Sequence, residues 1–232
     1  MQGLRIVCLS DTHNVHDWMD VPDGDVLLHA GDFTGRGRAE EVAAFGAFLA
    51  GLPHREKIVV AGNHDFLFER DPEKARGLLG EVTYLEDSGV EIGGLRVWGS
   101  PWQPWFHDWA FNLPRGEKLA EKWKLVPDET DILITHGPPH GIMDELARGG
   151  AIGCEELTLA RRRIAPGLHV FGHIHEAYGT HVEDGILSVN ACNCNLQYRP
   201  VNPPIVVDWD GVGFSLGSLS DPGGISHPLD PG

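Results

Sequence analysis

Ile58-Val59-Val60-Ala61-Gly62-Asn63-His64-Asp65 is an apolar run that reaches a glycine and then delivers three polar side chains in a row. Its β-branched residues suit a buried strand. Gly62 lets the backbone turn sharply or approach a ligand closely. The same succession occurs four more times. Ile6-Val7-Cys8-Leu9 leads into Ser10-Asp11-Thr12-His13, and Val26-Leu27-Leu28-His29 into Ala30-Gly31-Asp32. Ile132-Leu133-Ile134 leads into Thr135-His136-Gly137, and His169-Val170-Phe171 into Gly172-His173-Ile174-His175. Five strands thus carry Asp, Asn or His just past their C-terminal ends. In open α/β sheets ligands bind at that rim, so side chains far apart in sequence converge there.

Working outward, apolar runs predict strands over 4–9, 26–29, 57–60, 95–98, 131–134, 168–171, 186–189 and 204–207. Apolar residues three and four apart predict helices over 39–52, 72–79, 117–124 and 154–164. The alternation of the two is the α/β class. No repeat or linker divides residues 1–216, which read as one domain, followed by a Gly/Ser/Pro-rich tail over 217–232.

The chain is 41% apolar and 22% charged, in the range of soluble globular proteins. No apolar run approaches the length of a membrane span, and Arg5 interrupts the first one, unlike a signal peptide. The cytoplasm is the expected location, with no membrane partner. The net charge of -16, from 34 acidic and 18 basic residues, argues against long nucleic acids as partners. A small anionic substrate fits that balance if bound metal receives it. Cys8, Cys154, Cys192 and Cys194 are too few and scattered for a disulfide framework. Nothing near Cys192 and Cys194 completes a zinc set, so they read as buried thiols.

The residue types at the rim agree with its geometry. Two carboxylates, one amide and four imidazoles make a mixed oxygen and nitrogen donor set, suited to divalent transition metals. Asp11 and His13 are two residues apart, as are His173 and His175, so in extended chain each pair projects to one side. A lone Asp-x-His or Gly-Asn-His-Asp reads as an ordinary turn or structural residue. All five in this order, each behind an apolar run, read as a metal site.

The ordered set Asp11-Thr12-His13, Gly31-Asp32, Gly62-Asn63-His64-Asp65, Thr135-His136-Gly137 and Gly172-His173-Ile174-His175 resembles the calcineurin-like metallophosphoesterase superfamily. The blocks Ser100-Pro101-Trp102-Gln103-Pro104-Trp105-Phe106 and Asn202-Pro203-Pro204-Ile205-Val206-Val207-Asp208 are similar to the small metallophosphoesterase-domain-containing proteins, which are class III cyclic-nucleotide phosphodiesterases. The resemblance implies a four-layer αββα double β-sandwich. It implies one metal at Asp11, His13, Asp32 and His175 and another at Asp32, Asn63, His136 and His173, with Asp32 bridging. Manganese is the first expectation, with iron, zinc, nickel or magnesium as alternatives. Gly31-Asp32 continues as Phe33-Thr34-Gly35, without the second Asp of the protein-phosphatase branch.

Two such ions about 3.5–4 Å apart would generate a bridging hydroxide that attacks phosphorus in line. His64 is the expected partner of the leaving oxygen. Asp65 either closes the turn or orients His64 from behind. The substrate expected is a small phosphodiester, above all a cyclic nucleotide. Trp102 and Trp105, in the aromatic segment after the strand over 95–98, are candidate base-stacking residues, and His140 a further candidate contact. Three other outcomes compete: a phosphomonoesterase, a phosphoprotein phosphatase with the same site, and a non-catalytic module that binds nucleotide or metal. Every expected ligand is present, including His173, a position some relatives do not keep, which favours an enzyme.

Overall fold

The apolar runs quoted above are all strands in a computed structural model, which describes residues 3–218. In chain order the strands begin β1 Leu4–Leu9, β2 Val26–His29, β3 Glu56–Val59, β4 Thr83–Tyr84, β5 Ser88–Ile92, β6 Leu95–Ser100 and β7 Gln103–Pro104. They continue β8 Asn112–Leu113, β9 Ile132–Thr135, β10 Leu168–Phe171, β11 Gly179–Glu183, β12 Ile186–Asn190, β13 Ile205–Trp209 and β14 Phe214–Leu216. The helices are α1 Ala39–Gly51, α2 Phe66–Arg70, α3 Pro72–Leu79, α4 Glu117–Trp123 and α5 Glu155–Ile164. Beyond Ser218 the expected tail lies outside the described residues.

The strands form two six-stranded sheets and a two-stranded ribbon of β7 and β8. One sheet runs β14-β13-β1-β2-β3-β4 and the other β11-β12-β10-β9-β6-β5. In the first, β1 to β4 pair in parallel and β13 lies antiparallel to β1. In the second, β12, β10, β9 and β6 are parallel, with β11 and β5 antiparallel at the edges. The C-terminal ends of β1, β2 and β3 therefore point one way, as do those of β6, β9, β10 and β12.

Burial on both faces explains why the central strands read as unbroken apolar runs. Along β1, Ile6 and Cys8 face the core between the sheets, where they meet Val97, Ile132, Ile134, Val170 and Val189. Val7 and Leu9 face the opposite way, into a core with Val42, Phe45 and Leu49 of α1 and Ala75 and Leu79 of α3. Leu133 of β9 likewise packs outward on Leu119 and Trp123 of α4 and Leu157 and Ile164 of α5. Each such fully buried aliphatic side chain contributes roughly 1.5–3 kcal/mol. Helices thus cover both outer faces of two stacked sheets, which is the expected αββα arrangement.

One seam matters for the site. Ser10, just past β1, and Cys192, just past β12, form a parallel bridge between the two sheets. Ser10 N–H donates to Asn193 Oδ1 at 3.1 Å, and Asn193 N–H to Ser10 O at 2.9 Å. The two rims are tied together where the polar residues emerge.

Candidate metal centre

Asp11 leaves β1 into a fully buried position with a left-handed backbone, φ 54°. Its Oδ2 accepts three hydrogen bonds: Ser10 Oγ at 2.6 Å, His173 N–H at 2.9 Å and Cys192 Sγ at 3.1 Å. Its Oδ1 accepts no such bond from the backbone or from a hydroxyl or thiol among the described residues and faces His175 Nε2 at 3.3 Å. One carboxylate oxygen is thus locked by the protein while the other is turned to a single imidazole. A cation could take the place of the proton between them.

Asp32 emerges past β2, also left-handed at φ 55°. Its Oδ1 accepts His64 N–H at 2.7 Å. Its Oδ2 lies among three imidazoles, 3.4 Å from His136 Nε2, 3.9 Å from His64 Nε2 and 4.0 Å from His13 Nε2. Asp32 is accordingly shared by two groups of potential ligand atoms, one with His13 and His64 and the other with His136 and His173. Asp11 and His175 form a third group, which also takes in Cys192.

Backbone carbonyls fix the orientation of three imidazoles. His136 Nδ1–H donates to Ala30 O at 2.9 Å, which turns Nε2 toward Asn63 Oδ1 at 3.0 Å and His173 Nδ1 at 3.2 Å. His175 Nδ1–H donates to Asn195 O at 2.9 Å, and its Nε2 sits 3.3 Å from His13 Nε2. His64 Nδ1–H donates to Gly35 O at 2.8 Å. A hydrogen-bond partner behind each ring sets which nitrogen points inward, as in metal sites generally.

The backbone around the centre is strained and crowded. Asp11, His13, Asp32 and His173 all have positive φ, a region uncommon for L residues and reached most readily by Asn, Asp and His. A Cβ on Gly62 would stand 2.2 Å from Asp32 Oδ1, and one on Gly172 would stand 2.1 Å from Asp11 Oδ2. Only glycine lets these two carboxylates sit where they do. Asp65 does not orient His64. Its buried carboxylate instead accepts the N–H groups of Asp32, Thr34 and Gly62 at 2.8, 3.0 and 2.8 Å, and Thr34 Oγ1 at 2.7 Å. It closes the turn and joins it to the Asp32 loop.

Electrostatics shows a site in want of positive charge. Burial alone would raise the Asp11 and Asp32 carboxyls, but the surrounding imidazoles overcome it and hold both below the ordinary range. Burial pushes His136 and His175 down, yet the carboxylates outweigh it: Asp32 lifts His136 to about 9, and Asp11 lifts His175 to about 9. Burial dominates at His13 and His173, which fall to about 4 and about 3. Burial, then the Asp32 charge, raises Asp65 to about 7. Two buried carboxylates thus compete for protons on neighbouring rings, and cations could occupy the same positions.

A cavity of about 200 Å³ adjoins His173, lined by Gln103, Trp105, Phe106, Arg148 and Gly137 among others. Trp105 and Phe106 are 62% and 43% exposed, so ring surface is open there. Trp102 is not among the residues lining that cavity. Its Nε1–H donates to Asp87 Oδ2 at 2.9 Å, Lys122 Nζ lies 4.1 Å from its ring, and it packs on both outer cores. His140 pairs with Asp144 at 3.2 Å and borders a different cavity.

Sequence reasoning missed Ser10, Cys192 and Asn193 as supports of the centre. The strand-then-polar rule would have found the last two, since Cys192-Asn193 follows β12 as Asp11 follows β1. All four cysteines are free and buried, Cys192 and Cys194 among them. Trp109, whose ring centroid is 4.3 Å from that of His64, carries no such signal.

The family model for calcineurin-like phosphoesterases matches residues 4–177. The chain belongs to that family. Among its relatives, metallophosphoesterase domain-containing protein 1 of Homo sapiens is 47% identical over 229 residues, covering 88% of this chain and 70% of that protein. UPF0046 protein K07C11.7 of Caenorhabditis elegans is 41% identical over 216 residues, covering 85% of this chain and 74% of its own. The crystal structure of TT1561 of Thermus thermophilus superposes with a TM-score of 0.58 at 16% identity, covering 94% of this chain and 99% of that one. That likeness shows the fold, which a calcineurin-like phosphoesterase shares with its bacterial neighbour. Among the described residues no helix is long and apolar enough to cross a membrane.

Proposed function

We propose that this calcineurin-like phosphoesterase is a metal-dependent phosphodiesterase that hydrolyses small phosphodiesters, cyclic nucleotides among them. The buried Asp11 Oδ1, held by no group but the His175 imidazole and beside an Asp32 shared by two ligand groups, is the observation that carries the reading. Asp11, His13, Asp32 and His175 would hold one divalent ion, and Asp32, Asn63, His136 and His173 a second, with manganese the first choice. Bound ions of this kind activate water and withdraw charge from phosphate oxygens.

The chain's own groups do the rest. Ser10, Cys192 and the His173 amide keep Asp11 aimed with its Oδ1 toward His175. His64 keeps Nδ1–H on Gly35 O, so Nε2 is the atom that gives a proton or hydrogen bond to the departing ester oxygen. Trp109 packs against the His64 ring and excludes water from that side. Trp105 and Phe106 offer ring surface to the organic part of the ester, and stacking accepts any base. Arg148, at the same cavity, supplies a cation in an otherwise acidic protein.

The test is release of nitrophenol from bis-p-nitrophenyl phosphate with and without manganese, beside a panel of cyclic nucleotides and p-nitrophenyl phosphate. Manganese-dependent cleavage of the diester and of at least one cyclic nucleotide is expected. Turnover of the generic diester alone would remove the cyclic-nucleotide substrate. Preference for the monoester would make the protein a phosphomonoesterase, and no turnover with metal bound would make it a binding module.

A further inference from the structure

Tyr198 stands over the centre from a part of the chain that the family match does not reach, since that match ends at residue 177. Its ring centroid is 4.6 Å from that of His13, 5.9 Å from His175 and 6.1 Å from His64, at steep angles to all three. It is 49% exposed, and its hydroxyl makes no hydrogen bond to the protein among the described residues. A large ring half open to solvent and beside three imidazoles is poorly explained by packing.

Its backbone is as telling as its ring. Tyr198 has φ 56°, where a bulky L residue is a genuine outlier. The surrounding turn enforces that conformation: Tyr198 N–H donates to Asn195 O at 2.9 Å, and Asn195 Oδ1 accepts Gln197 and Arg199 N–H at 3.0 and 3.1 Å. Asn195 O also accepts His175 Nδ1–H. The turn that strains Tyr198 is thus hinged on one of the candidate ligands. Glycine would adopt this φ without steric strain, yet tyrosine stands there. Strain retained beside a site points to a use for the side chain.

We infer that Tyr198 is a substrate-contacting residue that sets specificity, its ring packing against the flat cyclic part of the ester beside His13. This rests on the phosphodiesterase reading above. It adds a second aromatic wall to the one that Trp105 and Phe106 form beside His173. The ring, not the hydroxyl, makes the contact, so phenylalanine serves as well.

The test compares Tyr198→Gly, Tyr198→Phe and the unchanged protein, all loaded with manganese. Two probes are titrated as competitors of bis-p-nitrophenyl phosphate cleavage, adenosine 5′-monophosphate and ribose 5-phosphate, the second carrying a hydroxyl where the first carries adenine. For Tyr198→Gly the inhibition constant of the nucleotide is expected to rise about 5- to 150-fold, the scale of one base–aromatic stack. That of the sugar phosphate should not move. Tyr198→Phe should match the unchanged protein for both. Metal content of Tyr198→Gly should equal that of the parent, since Tyr198 supplies no ligand atom. Equal weakening of both inhibitors, or loss of metal, would make Tyr198 a structural support and overturn the inference. If the unchanged protein cleaves no diester, the phosphodiesterase reading fails separately. Calorimetric binding of the same two ligands then decides Tyr198, with an equal effect on both again counting against it.

Discussion

The division of labour within single side chains is what makes the centre chemically specific. Asp11 spends one oxygen on three protein donors and turns the other toward His175, whereas Asp32 anchors one oxygen on the His64 amide and turns the other toward three rings. Asp32→Asn removes charge shared by both ligand groups. It is expected to lower bound metal, measured by elemental analysis, and to reduce diester cleavage by orders of magnitude; near-normal activity with two ions bound would refute the bridge. His64 differs, because its Nδ1 is occupied by Gly35 O and its Nε2 is 3.9 Å from Asp32 Oδ2. The side chain also belongs to the group of potential ligand atoms with His13 and Asp32, so a ligand role must be tested against a proton-donor role. His64→Ala should keep both ions and lose roughly 10²- to 10⁴-fold in rate, the usual scale for a positioned acid or base. The loss should be smaller for nitrophenyl esters, whose leaving group needs little protonation. Metal loss in parallel with rate would make His64 a ligand. These residues were legible because each stands directly behind an apolar run. Tyr198 and Arg148 were not, since they sit in loops whose local sequence carries no periodicity and whose positions depend on tertiary packing.

At the scale of elements, the site is a set of turns held in register by Asp65. Its carboxylate gathers three backbone N–H groups and one hydroxyl, from the turn after β3 and the loop after β2. Asp65→Ala would leave those amides buried without acceptors, at about 1–3 kcal/mol each. Chemical denaturation should therefore show a loss of several kcal/mol together with reduced metal affinity. A stable variant with normal metal content would mean that the two loops hold themselves. Which elements could be read from sequence follows from burial. β1, β2 and β10 match their expected bounds because apolar side chains fill both faces. β11 is mostly exposed and β5 is an edge strand with only Ile92 buried, so neither has a continuous apolar run to betray it. β4, β7 and β8 are two residues each, too short for any period to register. The aromatic segment after β6 borders the cavity beside His173 through Trp105 and Phe106. Within it, however, Trp102 turns inward to Asp87 while Trp105 turns to the cavity, a choice made by partners distant in sequence.

For the whole molecule, the centre is a clasp between two sheets. Asp11, His13, Asp32 and Asn63 follow strands of one sheet, and His136, His173 and His175 follow strands of the other. Cations shared across that seam would bind the folded chain and not the unfolded one, so they stabilise by mass action. Manganese at 100 to 1,000 times its dissociation constant adds about 2.7–4.1 kcal/mol. For a domain of this size each kcal/mol moves the melting temperature by about 2–4 °C, so a rise of roughly 5–15 °C is expected, reversed by chelator. The effect has a pH sign. Without metal, His136 and His175 titrate near 9, so both carry protons at neutral pH. Metal must displace those protons, and binding then releases them to solvent. Raising the pH from 6 toward 9 removes that competition, so affinity and the manganese-induced shift in melting temperature should both grow over this range. Proton release measured in weak buffer should shrink as pH passes 9. A melting temperature unmoved by manganese and chelator at every pH would mean that no ion bridges the sheets. Binding that weakened as pH rose from 6 to 9 would mean that the ions are held by groups other than these two imidazoles.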